Sequence, residues 1–184
     1  MIIQQLSLFE ATEIEVTGKE SNENYTPVST IELVHQFYGF PSLDPFTCEL
    51  ANQTVKASKI FTIKDDGMIQ DWRGYPTIWI NPPYSHGFLE PVVDKLLELL
   101  AIESPEVFLL TNTDHSTKWY KKALKRCDRF ALSSTRLGFY SPERAAQGKK
   151  NTNNDKPQTL FYFGSNPQRF KEIFEGWGMV CRVD

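Results

Sequence analysis

A chain of 184 residues with 40% hydrophobic content is long enough for one domain with its own core, and no apolar run reaches membrane-spanning length, nor does a basic-then-apolar leader pattern open the sequence. Cys48, Cys127 and Cys181 stand far apart without a C-x-x-C, which argues against a disulfide scaffold and a zinc site and for a reducing cytoplasm. The net charge of −3 hides an asymmetry: residues 1–117 hold 6 Lys and Arg against 17 Asp and Glu, whereas residues 118–171 hold 13 against 3, a balance suited to docking a polyanion on one side.

Residues 1–22 are polar and acidic and are expected to form a flexible arm ahead of a single domain over 23–184. The apolar positions of Thr30 to Tyr38 recur at helical spacing and Gly39 ends that helix; Phe40 to Phe46 reads as a short strand. Residues 49–58 read as a short helix and Ile60 to Ile63 as extended chain. Thr77 to Ile80 is a β-branched and aromatic run that predicts a buried strand. Phe88 to Ile102 and Thr117 to Cys127 are amphipathic helices on either side of a strand over Glu106 to Thr111. Phe130 to Ser133, Leu137 to Tyr140 and Leu160 to Phe163 read as strands, and Pro167 to Trp177 as a closing helix. Between the last two strands, residues 141–158 are rich in Lys, Asn, Gln and Gly and have no period. Strands alternating with helices predict an α/β fold: a mostly parallel central sheet with helices on both faces and an antiparallel strand pair at the C-terminal end.

The chemistry concentrates in Asn81-Pro82-Pro83-Tyr84, directly after the strand Thr77-Ile78-Trp79-Ile80. Two prolines cannot continue a ladder, so the chain turns rigidly there. The Asn81 side-chain oxygen and the Pro82 carbonyl can each accept one hydrogen of an exocyclic NH2, and Tyr84 offers a flat face for a ring. A bare Asn-Pro-Pro is most often a turn; Tyr84 and the preceding buried strand are what turn the motif into a site. Catalysis by orientation and preorganised polarity requires no tuned histidine or metal, and His35, His86 and His115 give no credible ligand cluster or triad.

Asn-Pro-Pro-Tyr resembles the amine-activating motif of class I methyltransferases that use S-adenosylmethionine. Tyr25-Thr26-Pro27, Leu43-Asp44-Pro45, Phe61-Thr62, Asp65-Asp66-Gly67, Trp72 and Asn81 to Ser85 resemble, in the same order and at similar spacing, the phage-type DNA N6-adenine methyltransferases. The resemblance covers about Tyr25 to Gly164. It implies a Rossmann-like fold, S-adenosylmethionine as cofactor and methylation of the adenine N6 amine in double-stranded DNA after base flipping, inside a bacterial host. It also implies roles. Asn81, Pro82, Pro83 and Tyr84 would hold the target amine and base. Asp44 and Pro45 would face the methionine end of the cofactor, and Tyr25, Thr26 and Pro27 would fold over it. Asp66, in preference to Asp65, would accept from the cofactor's adenine amine, and Asn52 would stand in for the missing ribose-binding acid.

The glycine-rich turn that larger methyltransferases carry after the first strand is absent; Phe46-Thr47-Cys48-Glu49-Leu50 stands there instead. Asn112 or Trp119, at and beyond the end of the next strand, would border the base, although Trp119 also suits the core. Arg144, Lys149, Lys150 and Lys156 in the aperiodic stretch are the candidate phosphate-binding side chains. Asn-Pro-Pro-Tyr also occurs in enzymes acting on RNA or on a protein glutamine amide. The basic block favours nucleic acid, and the resemblance favours DNA. An inactive DNA-binding relative is the remaining alternative.

Overall fold

A computed structural model of the chain describes residues 25–85, 87–140, 152–153 and 156–183. The expected arm lies outside these residues, as do Arg144, Lys149 and Lys150.

Pro27, with φ of −56°, leads into helix α1 (Val28–Tyr38), which ends where Gly39 takes a left-handed φ of 81°. The elements then follow as β1 (Leu43–Asp44), α2 (Glu49–Val55), β2 (Lys59–Ile60), β3 (Thr77–Ile80), α3 (Leu89–Leu100), β4 (Glu106–Asn112), α4 (Lys118–Arg126), β5 (Arg129–Ser133), β6 (Gly138–Phe139), β7 (Thr152–Asn153), β8 (Gln158–Phe163), α5 (Pro167–Phe174) and β9 (Gly178–Cys181). Seven strands form one sheet in the order β2-β1-β3-β4-β8-β5-β9, and β6 and β7 pair separately. Strands β2, β1, β3 and β4 are mutually parallel, β8 is antiparallel to both β4 and β5, and β9 is antiparallel to β5. The two C-terminal strands of the sheet are thus its reversed strands, separated by β5 rather than paired with each other.

The pleat sends alternate residues to two cores. Leu43, Ile78, Ile80, Val107 and Leu109 pack with Val92, Val93 and Leu96 of α3 and Trp119 and Ala123 of α4. Trp79, Phe108 and Leu110 pack on the opposite face with Ile31, Val34 and Phe37 of α1, Val55 of α2 and Phe170 and Phe174 of α5. Helices therefore cover both faces, as the alternation of elements requires. Each fully buried large side chain contributes about 2 kcal/mol, and sheet and helices order together because neither can bury its apolar side alone.

Several expected boundaries move, among them two with a clear local cause. The strand read over Phe40 to Phe46 shrinks to Leu43–Asp44, with Phe40 58% exposed and Pro41 and Pro45 closing the ladder on either side. The closing helix stops at Phe174, and β9 follows it as an edge strand with Met179 65% exposed. Gly178 makes that edge possible, since a Cβ there would run into the Leu132 carbonyl of β5. Within the aperiodic stretch, β7 pairs Thr152 with Phe139 and Asn153 with Gly138.

Candidate active site

From β1 the chain runs outward to β2 and then returns to β3 on the other side of β1. The crossover direction reverses between β1 and β3, and in open α/β sheets ligands bind beyond the carboxyl ends of the strands at such a point. Leu43 pairs with Ile78, so Asp44 and Pro45 end β1 beside the place where Asn81 ends β3. Leu43 packs into one core and Trp79 into the other, and alternation puts Asp44, Trp79 and Asn81 on the face that α1 covers.

The Asn81 amide is held from two sides. Its Nδ2 donates to Thr26 Oγ1 at 3.1 Å, and its Oδ1 accepts from the Tyr84 hydroxyl at 3.0 Å. Thr26 is buried, and the segment carrying it is pinned by a two-way backbone bridge between Tyr25 and Tyr140, with the Tyr25 hydroxyl 3.1 Å from Cys48 Sγ. Tyr25-Thr26-Pro27 therefore lies across the strand ends, joined to a motif 55 residues away in sequence.

Pro82 is buried, and Pro83 and Tyr84 are half-buried. The Tyr84 ring packs against both cores and stands edge-on to Phe139 at 6.2 Å and 81°. Its hydroxyl points inward, with Gln158 Oε1 at 3.2 Å and the Leu110 carbonyl at 3.5 Å as further acceptors. Burial raises the Tyr84 phenol well above its ordinary pKa, so it stays a neutral donor.

Asp44 is 2% exposed. Burial pushes its carboxyl up to about 7, against the lowering effect of the Phe46 backbone N–H, 3.2 Å from Oδ1, and the Thr47 side chain. No basic side chain among the described residues pairs with it. A buried acid at the rim without a counter-charge suits a cationic ligand group, which would repay the cost of ionising it.

The remaining sequence candidates are distributed less evenly. Asp65-Asp66-Gly67 is a turn docked on β1, because a Cβ on Gly67 would collide with the Pro45 carbonyl. Trp72 Nε1 donates to the Gly67 carbonyl at 2.9 Å and fixes the turn from below. The Asp65 and Asp66 carboxylates are exposed and already accept from this turn: Asp65 from the Thr62 N–H and hydroxyl, both at 2.8 Å, and Asp66, at a left-handed φ of 53°, from the Met68 N–H at 3.1 Å. Asn52 clamps the end of α2, with both ends of its amide on the Ala57 backbone at 2.7 and 3.2 Å. Trp119 belongs to the core. Lys156, the described member of the basic set, is exposed at the same rim, 3.4 Å from Asp114 beyond β4.

Gln158 is the site residue that pattern reading passes over, as the last polar residue of an aperiodic stretch. It opens β8, whose six residues are all buried. A glutamine beginning a wholly buried strand needs polar partners inside, and that need is its signal. Its Nε2 donates to Asn112 Oδ1 and to the Lys156 carbonyl, both at 2.9 Å, which ties Asn112 to the motif.

An asparagine amide at the end of β3, an inward-facing tyrosine and a buried acid thus come together across the switch point. Residues 15–174 match the DNA N-6-adenine-methyltransferase (Dam) family, and the chain belongs to that family. It is similar to the DNA N-6-adenine-methyltransferase of Haemophilus phage HP1 (strain HP1c1), with 27% identity over 139 residues, 75% of this chain and 76% of the phage protein. The chain is accordingly a DNA adenine methyltransferase, with DNA as substrate and a methyl donor as cosubstrate. Among the described residues no helix is long and apolar enough to cross a membrane, and no group of three His, Cys, Asp or Glu side chains is placed to hold a metal ion.

Proposed function

We propose that this chain forms one methyltransferase domain over residues 23–184 and methylates the N6 amine of an adenine flipped out of double-stranded DNA. S-adenosylmethionine is its donor and the cytoplasm of a bacterial host its setting. The observation that carries this reading is the fixed amide of Asn81: its nitrogen end donates to Thr26 and its oxygen accepts from Tyr84, so the oxygen is oriented as an acceptor at the switch point.

S-adenosylmethionine held beside β1 would supply an electrophilic methyl group on a sulfonium, with a neutral thioether as the leaving group. An ionised Asp44 would hold its positive groups, and Tyr25-Thr26-Pro27 would cover it. Asn81 Oδ1 and the Pro82 carbonyl take the two amine hydrogens, drawing the nitrogen lone pair out of conjugation with the ring. The work is orientation and preorganised polarity, and the methylated nitrogen, cationic once the C–N bond forms, would release one of its protons to solvent, so no tuned base is required. An amine inside a duplex cannot reach these acceptors, and extrusion of the base is the route to them, with the Tyr84 ring beside it. Lys156, together with Arg144, Lys149 and Lys150, binds phosphates.

Asn81→Ala is the test. Turnover on duplex DNA should fall by about a hundredfold or more, while calorimetric affinity for S-adenosylmethionine stays at the wild-type value. Wild-type turnover in this variant would remove the proposed chemistry. Nucleoside analysis of the methylated product and a parallel single-stranded and RNA substrate series establish the acceptor atom and the strandedness.

A further inference from the structure

The Tyr84 hydroxyl has one hydrogen and two side-chain oxygens competing for it, Asn81 Oδ1 at 3.0 Å and Gln158 Oε1 at 3.2 Å. The first is the oxygen that the target amine needs. An acceptor already engaged by one donor is a weaker partner for a second, so a hydroxyl left on Asn81 opposes the incoming base.

Gln158 is built to resolve that conflict. It is 0% exposed, and both hydrogens of its amide are fixed, one on Asn112 Oδ1 and one on the Lys156 carbonyl. Turning the amide over would set its oxygen against those two oxygens, so Oε1 is held toward Tyr84 as an acceptor only. The backbone beneath is equally fixed, with the Gln158 N–H donating to Ser133 Oγ at 2.9 Å. The hydroxyl has a single hydrogen to share between the two oxygens. When the base amine donates to Asn81, rotation of the intact O–H toward Gln158 Oε1 keeps that hydrogen bonded.

We propose that Gln158 is a positioning residue for methyl transfer: it takes the Tyr84 hydroxyl as the adenine amine binds, and so clears Asn81 Oδ1 for that amine. The proposal rests on the reading of Asn81 as amine acceptor. It makes Tyr84 a switch between a self-satisfied free site and a cleared loaded one, with Gln158 as the resting place of its hydrogen in the second state.

A double-mutant cycle tests it. Gln158→Met keeps the volume and removes both polar ends, and Tyr84→Phe removes the hydroxyl while keeping the ring. In single-turnover reactions of the preformed enzyme–S-adenosylmethionine–duplex complex, Gln158→Met should slow methyl transfer about tenfold when Tyr84 is present, the scale of losing one neutral hydrogen bond. In the Tyr84→Phe background the same change should cost less than about twofold. A purely structural role would slow both backgrounds by the same factor, and that result, or no loss in either, overturns the proposal. Asn81→Ala is measured alongside: wild-type turnover there would remove the underlying reading, whatever the cycle gives. Should Gln158→Met fail to fold, a crystal structure of the unmutated enzyme with the demethylated cofactor product and a duplex decides. The Tyr84 hydroxyl is expected on Gln158 Oε1 and off Asn81 Oδ1, and a hydroxyl still on Asn81 refutes the switch.

Discussion

Asp44→Asn should make the protein more stable and, at the same time, poorer at binding its methyl donor. The Asp44 carboxyl, 2% exposed, is pushed from its ordinary 3.8 to about 7 by burial. The folded state therefore keeps this proton to higher pH than the unfolded chain does. A raised carboxyl pKa leaves stability intact below the unfolded value and removes it as pH rises through the folded one. At 1.36 kcal/mol per unit, the full penalty is about 4 kcal/mol above neutrality, of which a little under half is already present at about pH 5. Asparagine is isosteric and cannot ionise, so its advantage over aspartate should widen by about 2.5 kcal/mol between about pH 5 and pH 8. In urea this is a relative midpoint shift of about 1 M for a domain of this size. Calorimetry on the same variant should show weakened S-adenosylmethionine binding at about pH 8, because the charge facing the donor's cationic groups is gone. In the wild type, donor binding below about pH 7 should release a proton, visible in buffers of different ionisation enthalpy. A stability gap that is the same at both pH values would show that Asp44 is not held protonated by the fold. Undiminished donor affinity in Asp44→Asn would move the cofactor away from β1.

Three further outcomes are expected. Thr26→Val removes one of the hydrogen bonds that hold the Asn81 amide and should lower turnover about tenfold with little change in melting temperature, measured by methyl incorporation and thermal denaturation. Gly67→Ala forces the Asp65–Gly67 turn off the Pro45 carbonyl and should cost about 1–3 kcal/mol of stability together with donor affinity, since the β1 end moves with it. Replacing Lys149, Lys150 and Lys156 by glutamine should weaken binding to all duplexes alike, with turnover on saturating DNA retained. The salt dependence of binding should become shallower by about one unit for each phosphate no longer neutralised; an unchanged slope would shift the DNA face to α4.

Elements with an unbroken period were legible. Thr77 to Ile80 keeps its bounds as β3, and α3 buries Leu89, Val92, Val93, Leu96 and Leu99 along a face close to the one its spacing marks. The motif at the end of β3 stands out in the sequence because Tyr84 and the buried strand before it lift Asn-Pro-Pro above an ordinary turn, and the structure joins Tyr84 to Asn81. What escaped depends on partners distant in sequence. Strand β9 is only four residues long, too short to show a period directly behind a helix, and exists because Gly178 lets it close on Leu132. Gln158 acquires meaning only through Asn112 and Tyr84, 46 and 74 residues away. Asp66 and Asn52 rest on the family resemblance, which does not reveal that their oxygens already serve the Met68 and Ala57 backbones.

The insertion of β8 between β4 and β5 bears on how the enzyme comes into being. Six residue pairs join β4 to β8, from Val107 with Phe163 to Asn112 with Gln158. During synthesis β4 and β5 leave the ribosome well before their shared neighbour. Until β8 arrives, Phe108, Leu110 and Ala131 have no finished sheet to belong to, and two strand edges stand open to other chains. The nascent protein in that interval holds Asn81 through Tyr84 but lacks Gln158 and the middle of its sheet. Closing the gap requires long-range antiparallel pairing, a slow class of folding event. Maturation of the active site should therefore lag behind translation of its catalytic motif, and a chain truncated before Gln158 should aggregate rather than methylate.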